Sequence, residues 1–194
     1  MREVILGILE SAITTKRNCV EASLDKIIKA ADMLAGCLTA GGKILLFGNG
    51  GSAADAQHLA AEFVNRFQIE RPPLAAIALT TDTSVLTSIG NDYEFEEIFS
   101  KQIKALGKKS DIAWGLSTSG NSPNVIHAIK SAQKLGMPTI GMTGRGGELA
   151  DCADLALSVE SDTTARVQET HITLGHILCE LVERKLYPEE FGDW

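Results

Sequence analysis

Five short apolar runs, separated for the most part by segments of helical periodicity, constrain this chain more than any other feature. They are Lys43–Phe47, Ala75–Leu79, Asp111–Leu116, Pro138–Met142 and Leu155–Val159. The first, Lys43-Ile44-Leu45-Leu46-Phe47, is uninterrupted by polar residues after its lysine and is bounded by glycines. A run of that kind reads as a strand buried on both faces, because a strand with one wet face would alternate. Val125, Ile126, Ile129, Ala132 and Leu135 recur at helical spacing between two of the runs. Strands alternating with helices predict an α/β fold, a parallel sheet flanked by helices on both faces.

The ends of the chain are helical. Val4, Ile5, Ile8, Leu9 and Ala12, then Leu24, Ile27, Ile28, Ala31 and Leu34, predict two helices over residues 1–40 that pair as an N-terminal hairpin. Gly41-Gly42 ends the second, and a long final helix is predicted from Thr164 to Leu186. Nothing reads as a linker, so one domain over 1–194 is expected, with 41–194 as its α/β core and C-terminal helix. The formal net charge of −7 gives no general attraction to nucleic acid, which requires clustered Lys and Arg. No apolar run suggests a membrane span and no leader is evident, so the expected location is the cytoplasm. Cys19, Cys37, Cys152 and Cys179 form no C-x-x-C pair and read as reduced, mostly buried thiols.

Two turns that follow apolar runs share an unusual chemistry. Gly48-Asn49-Gly50-Gly51-Ser52 follows the first run, and Ser117-Thr118-Ser119-Gly120-Asn121-Ser122 follows the third. In an open α/β sheet such turns lie beyond the C-terminal strand ends, where ligands bind. Glycine lets the backbone approach a ligand closely. The N–H groups of the next helix and its dipole favour an anion, and hydroxyls add donors without charge. Simple helix capping uses one such residue, whereas the second turn carries four hydroxyls, ahead of Pro123 at a first helical position. A bound phosphate is the expected occupant. Neither turn has the G-K-[ST] or G-x-G-x-x-G pattern of nucleotide sites.

His58 and Glu62 are four apart, on one face of the helix that follows Ser52. The pair suits a metal, a general base with its neighbour, or a plain surface contact. In the last helix His171 and His176 are five apart and point in different directions, so at most one faces the same site. His127 reads as solvent-facing.

FGNGGSAADAQHLAAEF (47–63), SIGNDYEFEEIFS (88–100), GLSTSGNSPNVIHAI (115–129) and ARVQETHITLGHILCELVE (165–183) together resemble the SIS (sugar isomerase) domain family, nearest its phosphoheptose isomerase branch. The likeness runs over essentially the whole chain. It implies interconversion of sedoheptulose 7-phosphate and D-glycero-D-manno-heptose 7-phosphate, the first step towards nucleotide-activated heptose for lipopolysaccharide or other surface glycans. It further implies a homotetramer with active sites between subunits, and one zinc per subunit held by His58, Glu62, Gln168 and His176. The substrate contacts it implies are Asn49, Gly50, Gly51, Ser52, Asn91, Asp92, Ser117, Thr118, Ser119, Ser122 and Gln168, and the acid/base pair is Glu62 and His176. Ala165 departs from the aspartate that some members carry near the sugar. A related protein that associates with the replication initiator DnaA keeps the fold as a non-enzymatic tetramer, and RFQIERPPLAAIALTTD (66–82) shares some of its character. That relative lacks the Glu and the final His present here, which favours the enzyme.

One consequence is geometric. Gln168 and His176 are eight apart, which on a regular helix places them ~12 Å apart along the axis and ~80° around it. Zinc ligands lie about 2 Å from the metal. Either the last helix begins after Gln168, or ligands of one site come from different chains, and the second is the expectation. If Glu62 and His176 are themselves divided in this way, a mixture of chains each lacking one of them should regain activity.

Overall fold

The structure, a computed structural model, describes residues 1–192. The elements run α1 (Arg2–Ala22), α2 (Leu24–Thr39), β1 (Ile44–Gly48), α3 (Gly51–Val64), β2 (Ala76–Ala78), α4 (Thr83–Asp92), α5 (Ile98–Leu106), β3 (Ile112–Ser117), α6 (Pro123–Lys134), β4 (Thr139–Thr143), α7 (Glu148–Cys152), β5 (Leu155–Ser158) and α8 (Thr164–Leu186). Two single 3₁₀ turns, Phe95–Glu97 and Pro188–Glu190, join them. All five expected strands and the final helix are present, each strand within a residue or so of its apolar run.

The strands form one parallel sheet in the order β2-β1-β3-β4-β5. In β1, Ile44 and Leu46 join the core beneath α2, α3 and α8, while Leu45 and Phe47 join the core beneath α5 and α6. Both pleat directions are therefore buried, which is why the run carries no alternation. Trp114 of β3 is fully buried in the first core, and Phe47 packs on Phe99 in the second at 5.5 Å between ring centroids. Chain progression reverses between β1 and β3, so the turns after these two strands open side by side, where an open sheet binds ligands.

The N-terminal helices depart from the expected hairpin. Only Ser23 separates α1 from α2, too short a link for two helices to fold back on each other, which takes two to five residues. Each packs instead mainly on α8. Arg166 of α8 donates from Nη1 to the Ile8 carbonyl at 2.9 Å. Much of the apolar stripe of α1 stays open to solvent, with Val4, Ile5, Ile8 and Leu9 all more than half exposed. Among the described residues no helix is long and apolar enough to cross a membrane. All four cysteines are free thiols, and three are buried. Burial pushes the Cys37 thiol up to about 11, assisted by the nearby Asp111 carboxylate, and raises Cys19 and Cys179 as well.

Candidate active site

The first turn enters α3 through Gly50 at φ 54°, a left-handed value that favours glycine. The N–H groups of the first turn of α3 have no carbonyls of their own helix to bond. Gly51 lies under Gln168 of α8: a Cβ there would stand 2.2 Å from Gln168 Nε2. Ser52 is buried beside Gly48.

In the second turn Ser122 is the N-cap of α6, yet its side chain makes no cap hydrogen bond. Its Oγ lies instead 2.8 Å from Ser117 Oγ, which is 3.3 Å from Ser119 Oγ. Three hydroxyls thus cluster at the helix start instead of being spent on capping. Gly120, at φ 69°, lets the turn lie backbone against backbone on the Gly144–Gly147 loop, since a Cβ there would stand 1.8 Å from the Gly146 oxygen. The two turns are joined by a reciprocal amide pair, with Asn49 Nδ2 donating to Asn124 Oδ1 and Asn124 Nδ2 to Asn49 Oδ1, each at 2.8 Å. Asn124 is buried, and nothing in its sequence context marks it. Asn91 and Asp92 lie at the exposed C-terminal end of α4, where Asn91 Nδ2 donates to Asp92 Oδ1 at 2.8 Å, and no hydrogen bond found ties them to either turn.

The titratable cluster sits where α3 runs beside α8. His58 Nε2 lies 2.8 Å from His176 Nε2 and 3.5 Å from Glu62 Oε1. The ring of Phe67 stacks on that of His176 at 5.3 Å. Partial burial lowers the His176 pKa, the His58 charge adds to this, and the carboxylates of Glu62 and Asp55 oppose it. Asp55, which sequence reasoning overlooked, is buried beside Gln168, and its desolvated carboxyl titrates above the ordinary carboxylate range despite a hydrogen bond from that amide. The signal was available, because Asp55, His58 and Glu62 are spaced three and four apart and share one helix face. A groove of about 260 Å³ opens beside Asp55, lined by Ala165, Gln168, Glu169 and Ile172.

Helix α8 is unbroken through both Gln168 and His176, so a late helix start does not bring them together. Gln168 stays with Gly51 and Asp55, about 12 Å along the axis from His176. His58, Glu62 and His176, by contrast, gather within one chain, so this arrangement does not require Glu62 and His176 to be divided between chains. Two imidazole nitrogens and a carboxylate are the donor types zinc takes, although nitrogens on one tetrahedral zinc stand ~3.3 Å apart. The pair must therefore open slightly from its 2.8 Å to admit an ion. No set of three His, Cys, Asp or Glu donors closes on one point among the described residues.

The other histidines have separate roles. His171 is fully buried on α8, with Nε2 2.9 Å from the Thr143 carbonyl. Burial lowers its pKa to about 4. A neutral imidazole is thus built into the fold, and the unfolded chain binds the proton more readily. Stability should be complete above pH about 6.5 and fall as pH drops towards about 4, by about 2 kcal/mol at pH 5. Urea unfolding of the wild type and of His171→Gln at pH 7 and pH 5 checks this: the variant should lose less between the two. His127 is partly exposed, with Nδ1 3.5 Å from Glu97 Oε1.

A parallel α/β sheet with two hydroxyl- and glycine-rich turns at its switch point is an architecture suited to holding an anion. Residues 9–144 match the SIS domain family. The phosphoheptose isomerase of Nitratidesulfovibrio vulgaris is 52% identical over 187 residues, covering 96% of this chain and 90% of that protein. The phosphoheptose isomerase of Aquifex aeolicus is 54% identical over 184 residues, covering 94% and 96%. The structure of a phosphoheptose isomerase from Neisseria gonorrhoeae superposes with a TM-score of 0.89 at 46% identity, covering 94% of this chain and 98% of that one. The chain belongs to the SIS domain family, in its phosphoheptose isomerase branch. The initiator-binding alternative is not favoured by these relatives.

Proposed function

We propose that this chain is an aldose–ketose isomerase that interconverts sedoheptulose 7-phosphate and D-glycero-D-manno-heptose 7-phosphate, the opening step towards nucleotide-activated heptose for surface glycans. The observation that carries the reading is the uncapped hydroxyl cluster of Ser117, Ser119 and Ser122 beside the Gly50–Ser52 helix start, together with a carboxylate and two imidazoles between α3 and α8. The two turns bind the phosphate with neutral donors. Asn91, Asp92 and Gln168 serve the sugar.

Glu62 takes the proton from the carbon next to the carbonyl. His176 donates to the carbonyl oxygen to give the cis-enediol. Glu62 then returns its proton to the former carbonyl carbon while His176 takes back a proton from the hydroxyl of the neighbouring carbon, and the reverse direction retraces these transfers. His176, stacked by Phe67 and bonded to His58, is held close to Glu62 for this exchange. His58, Glu62 and His176 of one chain, with Gln168 of a second copy, would hold zinc, whose chemistry when bound is that of a Lewis acid. The second copy is supported by the unbroken α8 and by the bare apolar stripe of α1, which suits burial in a homotetramer. The enzyme works in the cytoplasm, where sugar phosphates are made.

Incubation with sedoheptulose 7-phosphate, with added zinc or with chelator, tests the reading: an aldoheptose 7-phosphate should accumulate to equilibrium. Failure to turn over this ketose with zinc present would sink it. Ser119→Ala and Ser122→Ala should raise KM by about 10- to 100-fold, the equivalent of about 1.5–3 kcal/mol for a hydrogen bond to an anion, with kcat little changed. A large kcat loss at constant KM would remove these hydroxyls from phosphate binding.

A further inference from the structure

Glu62 occupies the last turn of α3, where helix carbonyls lack partners within the helix. No basic residue lies in that turn, and the C-cap Asn65, at φ −87° and ψ −93°, is not a left-handed cap. The end is closed from outside by Arg71. Its Nη2 donates to the Glu62 carbonyl at 2.8 Å and its Nη1 to the Phe63 carbonyl at 2.8 Å, with longer bonds to Pro72 and Asn65. Arg71 Nε donates to Glu183 Oε1 at 2.9 Å, and both side chains are 1% exposed. Glu183 stands on α8, seven residues after His176. Its two oxygens also accept the backbone N–H groups of Phe67 at 2.9 Å and Gln68 at 2.8 Å. That turn delivers the Phe67 ring onto His176 at 5.3 Å and 30°.

We infer that Arg71 and Glu183 form a positioning clasp for the acid/base pair: they fix the last turn of α3, and with it Glu62, against the stretch of α8 that carries His176, and they seat Phe67 over the imidazole. The inference rests on the roles given above to Glu62 and His176. The guanidinium matches the task because its rigid fork spans two helix carbonyls and a carboxylate at once, which a lysine ammonium does not. Its charge also suits the negative end of the α3 dipole. Proton transfer depends steeply on donor–acceptor placement, and a misplacement of about 1 Å costs on the order of 10²-fold in rate. The phosphate turns lie at the other end of α3, about 15 Å away by helical rise from Ser52 to Glu62. The clasp therefore acts on kcat and leaves phosphate binding alone.

Two variants test this. Arg71→Lys keeps the charge without the fork. Arg71→Met combined with Glu183→Leu removes both charges and leaves no lone buried one, so the fold is spared the cost of an unpaired ion. kcat, KM, inhibition by inorganic phosphate and melting temperature are measured for each, with assays well below melting. The expected result is a kcat at least about 10-fold lower in both, with KM and the phosphate inhibition constant within about 2-fold of wild type. A folded variant with kcat within about 2-fold of wild type overturns the clasp, as does a loss shared equally by phosphate inhibition. Glu62→Gln is assayed alongside. If it remains active, the acid/base reading falls and the clasp with it; if it is inactive while both clasp variants turn over normally, the clasp alone is overturned.

Discussion

Glu62→Gln lowers kcat by ~10²-fold or more and leaves KM within a few-fold, because general acid–base groups contribute about 10²–10⁴ in rate. The amide keeps the size of the carboxylate and one acceptor oxygen, so His58, 3.5 Å away, keeps a neighbour of the same shape. What the variant loses is a group that binds and releases the proton. Glu62 is partly exposed at the edge of the α3–α8 contact, so the exchange does not disturb a packed core. Zinc content of the variant, measured beside its kinetics, separates loss of the base from loss of the metal. Incorporation of solvent deuterium at the carbon that gains the proton should slow in parallel with kcat. Near-normal turnover in a zinc-replete variant would remove Glu62 from the role.

The second large effect is restoration. Gln168→Ala and His176→Ala chains, each inactive alone, should regain activity when mixed and reassembled, whereas Glu62→Gln and His176→Ala chains should not. Within one chain His176 meets His58 and lies near Glu62, but Gln168 lies about two turns back along α8 beside Gly51 and Asp55. A site that uses both Gln168 and His176 takes them from different copies. A chain lacking His176 still offers an intact Gln168 to its neighbour, and the neighbour supplies the intact His58, Glu62 and His176. With random pairing across a twofold interface, roughly a quarter of the sites are then complete. No chain mixture rescues Glu62 and His176, because each site draws both from one chain. Mass spectrometry of tagged chains verifies that subunits have mixed. Failure of the first mixture after verified exchange, or full activity in a monomer, ends the idea of a shared site.

Local pattern announced the elements that carry these residues. Short uninterrupted apolar runs such as 44–47, bounded by glycines, suit a strand covered on both faces, and the glycines and hydroxyls after them lie where an open sheet binds ligands. Helical periodicity from about Thr164 to Leu186 likewise marks the final helix, α8. The N-terminal stripe was read correctly as helical and wrongly as a hairpin, because periodicity says that a face is apolar without saying what covers it. The one-residue link at Ser23 decided that, and both helices pack on α8 instead.

The site was legible in its parts and not in its assembly. Spacing placed His58 and Glu62 on one face, but a surface pair and a functional pair have the same spacing. His176, 118 residues away, comes within 2.8 Å of His58, a contact that the spacing does not reveal. Asn124, Arg71 and Glu183 lie within the quoted segments but were given no role, since an amide or an ion pair becomes informative only when its partner arrives from a distant segment. Sequence by itself determined which stretches become strands, helices and glycine- and hydroxyl-rich turns, because backbone sterics and side-chain periodicity act over a few neighbouring residues. Only the tertiary structure decided which polar side chains meet, because hydrogen bonds and ion pairs reach about 3 Å and depend on how helices 100 residues apart are laid side by side.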